Sequence, residues 1–460
     1  MTTVANAVAW LLAPAMLAAM IAVSGPTNLM GDFRAFYCAG TVIAQGADPY
    51  REQPLHACEQ RADPPRSPAY IPDVTVPAPL PPHALLAFVP LARWPFPLAA
   101  ALFGLLSIAA MSAAVVLFAR ATGVRCLWLN LAFAGITATQ TYFLGQPTTF
   151  ALLALAAAAV LLRSGRFAAA AACAVLMSVE PPLALPVLVA LLVAVPGTRL
   201  PILGFGGLLV GAGIAGLGLP VTIEYVRDVI PAHALANAYE WQFSLTSVLT
   251  SLGAGAAVAV RSGEAMYAAM LVLGIVVARR LWRSSGNRAA LVLVPPAFCV
   301  FGGVHVHLSQ LVIAFPAILS VYASYPRLRN LAATGITLAM VPWNVFSATI
   351  MTGFTPLVVG WFAGITMGPR RGLVLTAVAM GIALSVLALA LAGFGPGEVP
   401  FVAQAYPPGA LAEVSWSAFS RAALARPSVL MQWLRVPVLV GLALGLTALT
   451  RAAFEPAVAA

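Results

Sequence analysis

The chain has 460 residues, of which 61% are hydrophobic and only 8% charged, with a mean hydropathy of +0.95. A water-soluble globular protein carries about 25% charged residues, so a chain this apolar cannot cover a surface facing water, and its solvent is largely lipid. The net charge of +10 comes from arginines spread over short loops between apolar runs, with no lysine anywhere, which excludes the clustered basic patch of a nucleic-acid binder.

The apolar runs are long and continuous, not alternating over about ten residues, so the chain reads as an all-α polytopic membrane protein and not a barrel. Fourteen spans are predicted in one integral membrane domain over 1–460: 5–24, 97–119, 126–144, 147–163, 167–180, 182–197, 200–219, 264–280, 288–304, 306–323, 328–345, 352–367, 372–394 and 435–450. The first run, Val8 to Val23, has no basic stretch before it and no small-residue cleavage site after it, so it reads as a span and not a leader. The pairs meeting at Glu180-Pro181-Pro182 and at His305 read either as whole spans or as broken, re-entrant helices. Pro82 to Phe96 is apolar but interrupted by Arg93 and prolines, and is expected to lie as a helix on the membrane surface.

With the N-terminus inside, the inner loops hold fourteen arginines against one acid, Glu455, while the other side holds ten arginines and thirteen acids. By the positive-inside rule this predicts an inner-membrane protein with both termini cytoplasmic. The three long polar segments, 25–96, 220–263 and 395–434, then fall on the outer face, which is where the chemistry is expected. Cys38 and Cys58 share the first of these, an oxidising location, and are either a disulfide or two free thiols. Cys126, Cys173 and Cys299 read as small packing residues inside spans.

Asp32 lies a few residues past the first span. A carboxylate there is partly dehydrated and either accepts a proton from a hydroxyl or caps the next helix. Asp48 and Tyr50 sit in Gly46-Ala47-Asp48-Pro49-Tyr50, a turn sequence. Gln146, between two tightly spaced spans, is either a helix–helix hydrogen bond or a substrate contact. Glu180 precedes a diproline that frees backbone carbonyls, and reads as a functional acid or a polar turn. His305 and His307, two apart, do not share a helical face, and His56, His83 and His233 are scattered, so a metal site is not expected. A single histidine acting on a phosphate or hydroxyl fits better. His233, Glu240, Trp241 and Gln242 form a stretch suited to lying on the membrane or stacking on a sugar. No nucleotide-binding glycine pattern is present, so an outer-face enzyme needs a donor already activated there, such as a lipid-phosphate sugar.

Asp32-Phe33, Phe36-Tyr37, Ala39-Gly40 and Gly46-Ala47-Asp48-Pro49-Tyr50 resemble the opening signature of glycosyltransferase family 87, polyprenol-phosphate-mannose-dependent mannosyltransferases of the GT-C superfamily. Pro81-Pro82-His83-Ala84-Leu85-Leu86 with Pro90-Leu91, Gly145-Gln146, Arg163-Ser164-Gly165-Arg166, Glu180-Pro181, Trp241-Gln242-Phe243-Ser244 and His305-Val306-His307 follow in the family's order, over about residues 1 to 325. The resemblance implies a GT-C-like bundle of about 12–14 spans with surface helices on the outer face. It also implies a metal-independent, inverting hexosyltransferase, with mannose as the expected sugar, that needs no cofactor. Its partners are then membrane lipid, a polyprenyl-phosphate sugar, and a lipid or glycan acceptor. In that reading Asp32 deprotonates the acceptor and His305 or His307 is the late histidine. Arg34, Tyr37, Asp48, Tyr50, Gln146, Glu180, Trp241 and Gln242 are substrate-binding candidates, and Arg34 with His305 or His307 is the set expected to meet the lipid phosphate. Two positions depart from the family: Glu180 stands where it has lysine, and Ser309-Gln310 where some members have Tyr-Asp. A transporter or flippase, or an inactive scaffold of an envelope-polysaccharide complex, are the competing readings; no internal repeat supports the former.

Overall fold

The computed structural model describes residues 2–24, 29–62, 74–341, most of 356–389, 406–424 apart from 408, and 429–455. Among them the regular structure is helical, with one antiparallel bridge between Arg51 and Leu411. After α1 (Thr2–Ser24) the first polar segment carries α2 (Gly31–Ala44), α3 (Glu52–Ala62) and the short α4 (Pro82–Leu86). A run of apolar helices follows: α5 (Phe96–Thr122), α6 (Cys126–Ile136), α7 (Thr148–Arg163), α8 (Phe167–Leu176), α9 (Pro181–Ala194) and α10 (Arg199–Leu217). The second polar segment forms α11 (Leu219–Glu224), α12 (Ile230–Asn237) and α13 (Leu245–Ser251). Apolar helices resume with α14 (Ala256–Ser285), α15 (Ala290–Gly302), α16 (Leu308–Leu311), α17 (Phe315–Ser324), α18 (Arg329–Ala339) and α19 (Pro369–Leu389). The third polar segment carries α20 (Ala412–Phe419), before α21 (Val429–Phe454).

Against the fourteen spans read from the sequence, four described helices are long and apolar enough to cross a membrane alone: Phe96–Thr122, Pro196–Leu217, Ala256–Ser285 and Leu434–Phe454. Leu308–Ser324 and Pro326–Ala339, bent by 120°, make a fifth if taken together. Four more described apolar helices, Thr148–Arg163, Phe167–Val179, Pro181–Ala194 and Ala290–Gly302, are 10–17 residues long. Proline breaks one of these runs, because it removes a helix hydrogen bond and clashes with the preceding turn. Pro181 and Pro182 open α9 and separate it from α8, and the segment 126–144 is α6 continued by a π turn over Thr137–Tyr142. Half of the predicted span 352–367 lies outside the described residues. The expected surface helix over 82–96 stops at Leu86 and becomes turns and a 3-10 turn at Leu91–Arg93, because Pro90 and Pro95 interrupt it.

Two cores organise the chain. The large one is the interior of the apolar bundle, where α5 packs on α7, α14 on α15, and α18 on α21. The last pair crosses closely enough that a Cβ on Gly335 would lie 2.8 Å from the Gly441 carbonyl oxygen, so small residues set that approach. The second core sits among the polar segments. Phe33, Tyr50, Leu55, Leu85, Phe88 and Phe103 meet Tyr225 and Val229 of the second segment and Ala412 of the third. Cys38 and Cys58 are joined as a disulfide, tying α2 to α3 within it.

Candidate active site

A cavity of about 700 Å3 opens where the three polar segments meet the bundle. Its polar lining includes Asp32, Gln146, Glu180, His233, Glu240, Glu264, His305, His307, Gln310 and Trp416. Its apolar lining includes Leu185 and Leu188 of α9 and Val300 of α15, with Tyr267 of α14 and Cys299 of α15 beside them.

Asp32 is the second residue of α2, and a tight turn sets its place. The Met30 N–H donates to the Phe143 carbonyl at 2.6 Å, pinning the start of α2 to the end of the π turn. Gly145 then turns the chain with φ +78°, a left-handed conformation that glycine adopts without strain. That turn brings Gln146 over α2, and its Nε2 donates to Asp32 Oδ2 at 2.5 Å. Desolvation in the cavity pushes the Asp32 carboxyl up to about 6, and the Glu240 carboxylate adds to this; the Gln146 hydrogen bond and the Arg34 charge oppose it.

The late histidines sit in the break between α15 and α16. Two hydrogen bonds hold this loop against the second polar segment: Phe243 N–H to the Val306 carbonyl, and Val306 N–H to Gln242 Oε1, each 3.0 Å. The His307 N–H donates to Gln310 Oε1 at 3.1 Å in a capping box that starts α16. The ring of His305 lies 5.7 Å from that of His233 and 6.2 Å from that of His307. Burial pushes the His233 imidazole well below its usual range, and its two histidine neighbours push it further. Gln310 Nε2 donates to Glu180 Oε2 at 3.1 Å, so the two positions that depart from the family motif are bonded to each other.

The family model for glycosyltransferase family 87 matches residues 80–302. Over that stretch the chain is similar to glycosyltransferase family 87. It is therefore a membrane glycosyltransferase. No curated protein and no solved structure matches it. The matched stretch includes Gln146, Glu180 and Glu240, while Asp32, His305 and His307 lie outside it and join the site through the fold.

In this glycosyltransferase the sequence-predicted residues divide in two. Asp32, Gln146, Glu180, His305 and His307 line one cavity; Arg34, Tyr37, Asp48, Tyr50, Trp241 and Gln242 do not. Arg34 is buried, and its charge acts on both Asp32 and Glu59. The Tyr37 hydroxyl donates to the Trp94 carbonyl at 2.8 Å, and the Tyr50 hydroxyl to the Leu80 carbonyl at 2.7 Å. Asp48 accepts from the Tyr50 N–H at 3.0 Å and from Arg51 Nε at 2.9 Å, closing its turn. Trp241 packs edge-on to Phe243 and under the Arg435 guanidinium. Gln242 orients the histidine loop instead of lining the cavity. Among the described lining residues there is no arginine, Arg34 included.

Glu240 and Trp416 complete the site and were not among the expected substrate residues. Glu240 carried a weak signal, an acid beside a tryptophan in a polar segment. Trp416 carried none, since nothing in its neighbourhood ties it to residues far upstream.

Proposed function

We propose that this glycosyltransferase moves a hexose, with mannose as the first expectation, from a polyprenyl phosphate to an envelope lipid or glycan at the outer face of a bacterial inner membrane. The observation that carries the reading is the mixed wall of the cavity, which joins carboxylates and histidines to apolar residues of α9 and α15. A lipid-linked sugar brings the same two kinds of surface. Asp32 takes the proton of the acceptor hydroxyl as its oxygen attacks the anomeric carbon. The bond from that carbon to the phosphate oxygen breaks on the opposite side, which inverts the configuration and needs no metal. Polyprenyl phosphate leaves with the electron pair, and His305, His307 and His233 supply N–H donors to it.

Sugar transfer in isolated membranes tests this. Polyprenyl-phosphate mannose is expected to label a lipid or glycan acceptor, and nucleotide sugars are not. A chain that transfers from no polyprenyl-phosphate sugar overturns the donor, and the scaffold and transporter readings gain. The orientation is checked separately. Reporter fusions at Tyr239 and Gly409 are expected to read outside, and fusions at Arg283 and Arg371 inside; the reverse would place the site on the cytoplasmic face.

A further inference from the structure

The cavity has a second polar corner that the proton transfer above does not use. Glu240 follows α12, and its Oε1 accepts a hydrogen bond from the Trp416 indole N–H on α20. Gln242 Nε2 approaches its other oxygen at 3.4 Å. Both Glu240 and Trp416 line the cavity, and Asn237 lines it beside them. The indole is steadied by Phe419, with ring centroids 5.3 Å apart, and by the packing of α12 against α20.

One reading makes this pair a clamp between the second and third polar segments. A clamp does not require a charge. A half-buried carboxylate is costly, more so when it faces the like charge of Asp32 across one cavity. An amide or hydroxyl would join the two helices without that cost. A carboxylate facing open space is suited to a ligand that brings hydroxyl groups, since it is an acceptor with two oxygens and charge-assisted hydrogen bonds are the strong ones. An indole beside it offers a flat apolar face. A pyranose presents both complements: neighbouring hydroxyls on its rim and C–H groups on one face. The phosphate of the donor is repelled by Glu240, which sends that end of the molecule toward the histidines.

We infer that Glu240 and Trp416 form the sugar-selecting pair of the site, Glu240 accepting hydrogen bonds from two neighbouring hydroxyls of the transferred hexose and Trp416 covering its C–H face. The inference rests on the proposed lipid-linked donor. It makes donor choice a property of the second and third polar segments, and proton transfer a property of the first.

The test uses the full chain in lipid nanodiscs with polyprenyl-phosphate mannose, glucose and galactose, reading transfer and donor-induced change in tryptophan emission. Glu240→Gln is expected to raise the donor KM about 10–100-fold, the worth of a hydrogen bond to a charged group. It should also bring the kcat/KM values of the three epimers close together, because discrimination rests on hydroxyls that the site must satisfy. Trp416→Phe keeps an aromatic ring and is expected to raise the KM about tenfold on the same scale. The emission change is expected in the wild type and in Asp32→Asn, and not in Trp416→Phe. Wild-type KM and epimer ratios in Glu240→Gln, or an emission change that survives in Trp416→Phe, overturn the inference while leaving the lipid-linked donor standing. If the wild type gives neither transfer nor emission change with any of the three, the donor reading falls and this inference with it.

Discussion

Asp32→Asn is expected to insert and fold as the wild type does and to lose about 10²–10⁴-fold of its transfer rate, the usual worth of a positioned general base. The amide keeps the shape of the carboxylate and its hydrogen bond with Gln146, but it cannot take the acceptor's proton. Asp32→Glu moves the carboxylate by one methylene, and a displacement of about 1 Å can cost on the order of 10²-fold. Asp48→Asn, in a turn away from the cavity, is expected to keep most of the activity. The measurement is transfer in membranes at matched protein levels. Near-full activity in Asp32→Asn with a dead Asp48→Asn would reject Asp32 as the base. The pH profile gives a second reading. Asp32 works as the carboxylate, and its carboxyl stands at about 6. Gln146, Glu240 and Arg34 are the groups whose hydrogen bond or charge acts on it. The transfer rate at low substrate is therefore expected to fall as the pH drops through about 6 and to level off above it. Glu240 itself stands at about 7, raised by burial.

Gly145→Ala is the second large effect. A Cβ at this position would lie 2.5 Å from the Phe33 Cβ and 2.9 Å from the Met30 sulfur. Phe33 is fully buried and stacks on Phe103 at 4.5 Å between centroids, so it has no room to yield. The left-handed φ adds about 1–2 kcal/mol for any residue with a Cβ. Relief comes only by moving the start of α2, and with it Asp32, away from Gln146. The expected result is a loss of about 10²-fold in transfer, together with a lower Tm. Gly123→Ala is the matched control. Its φ is +76°, but nothing lies within 4 Å of the added Cβ, so it carries the backbone strain alone. Gly123→Ala is expected to lower the Tm and leave transfer unchanged. Full activity in Gly145→Ala would show that the turn does not position Asp32.

The two departures from the family motif belong to one place in the fold. Read along the chain, Glu180 and Gln310 are separate losses, of a cation and of an acid. In the structure Gln310 donates to Glu180, so each departure answers the other. An amide facing a carboxylate satisfies a buried acid where two acids would repel. The pair accounts for the local hydrogen bonding without a lysine.

Composition by itself determined that this chain lives in a membrane as a bundle of helices, because 8% charge cannot cover a water-facing surface and unpaired backbone cannot enter lipid. Local sequence also marked Asp32, Gln146, Glu180, His305 and His307, since polar side chains at the ends of apolar runs are costly unless they serve something. It could not fix helix lengths, because proline pairs such as Pro181-Pro182 split runs that hydropathy averages into one. Nor could it sort residues within the Asp32–Tyr50 signature. Asp32 faces the cavity, while Arg34, Tyr37 and Tyr50 turn into a core or bond the backbone; such sorting depends on which face of α2 packs against neighbours far along the chain. Glu240 and Trp416 are 176 positions apart. Only the closing of all three polar segments over one core brings them together, and contacts at that separation are decided by tertiary packing, which no local pattern records.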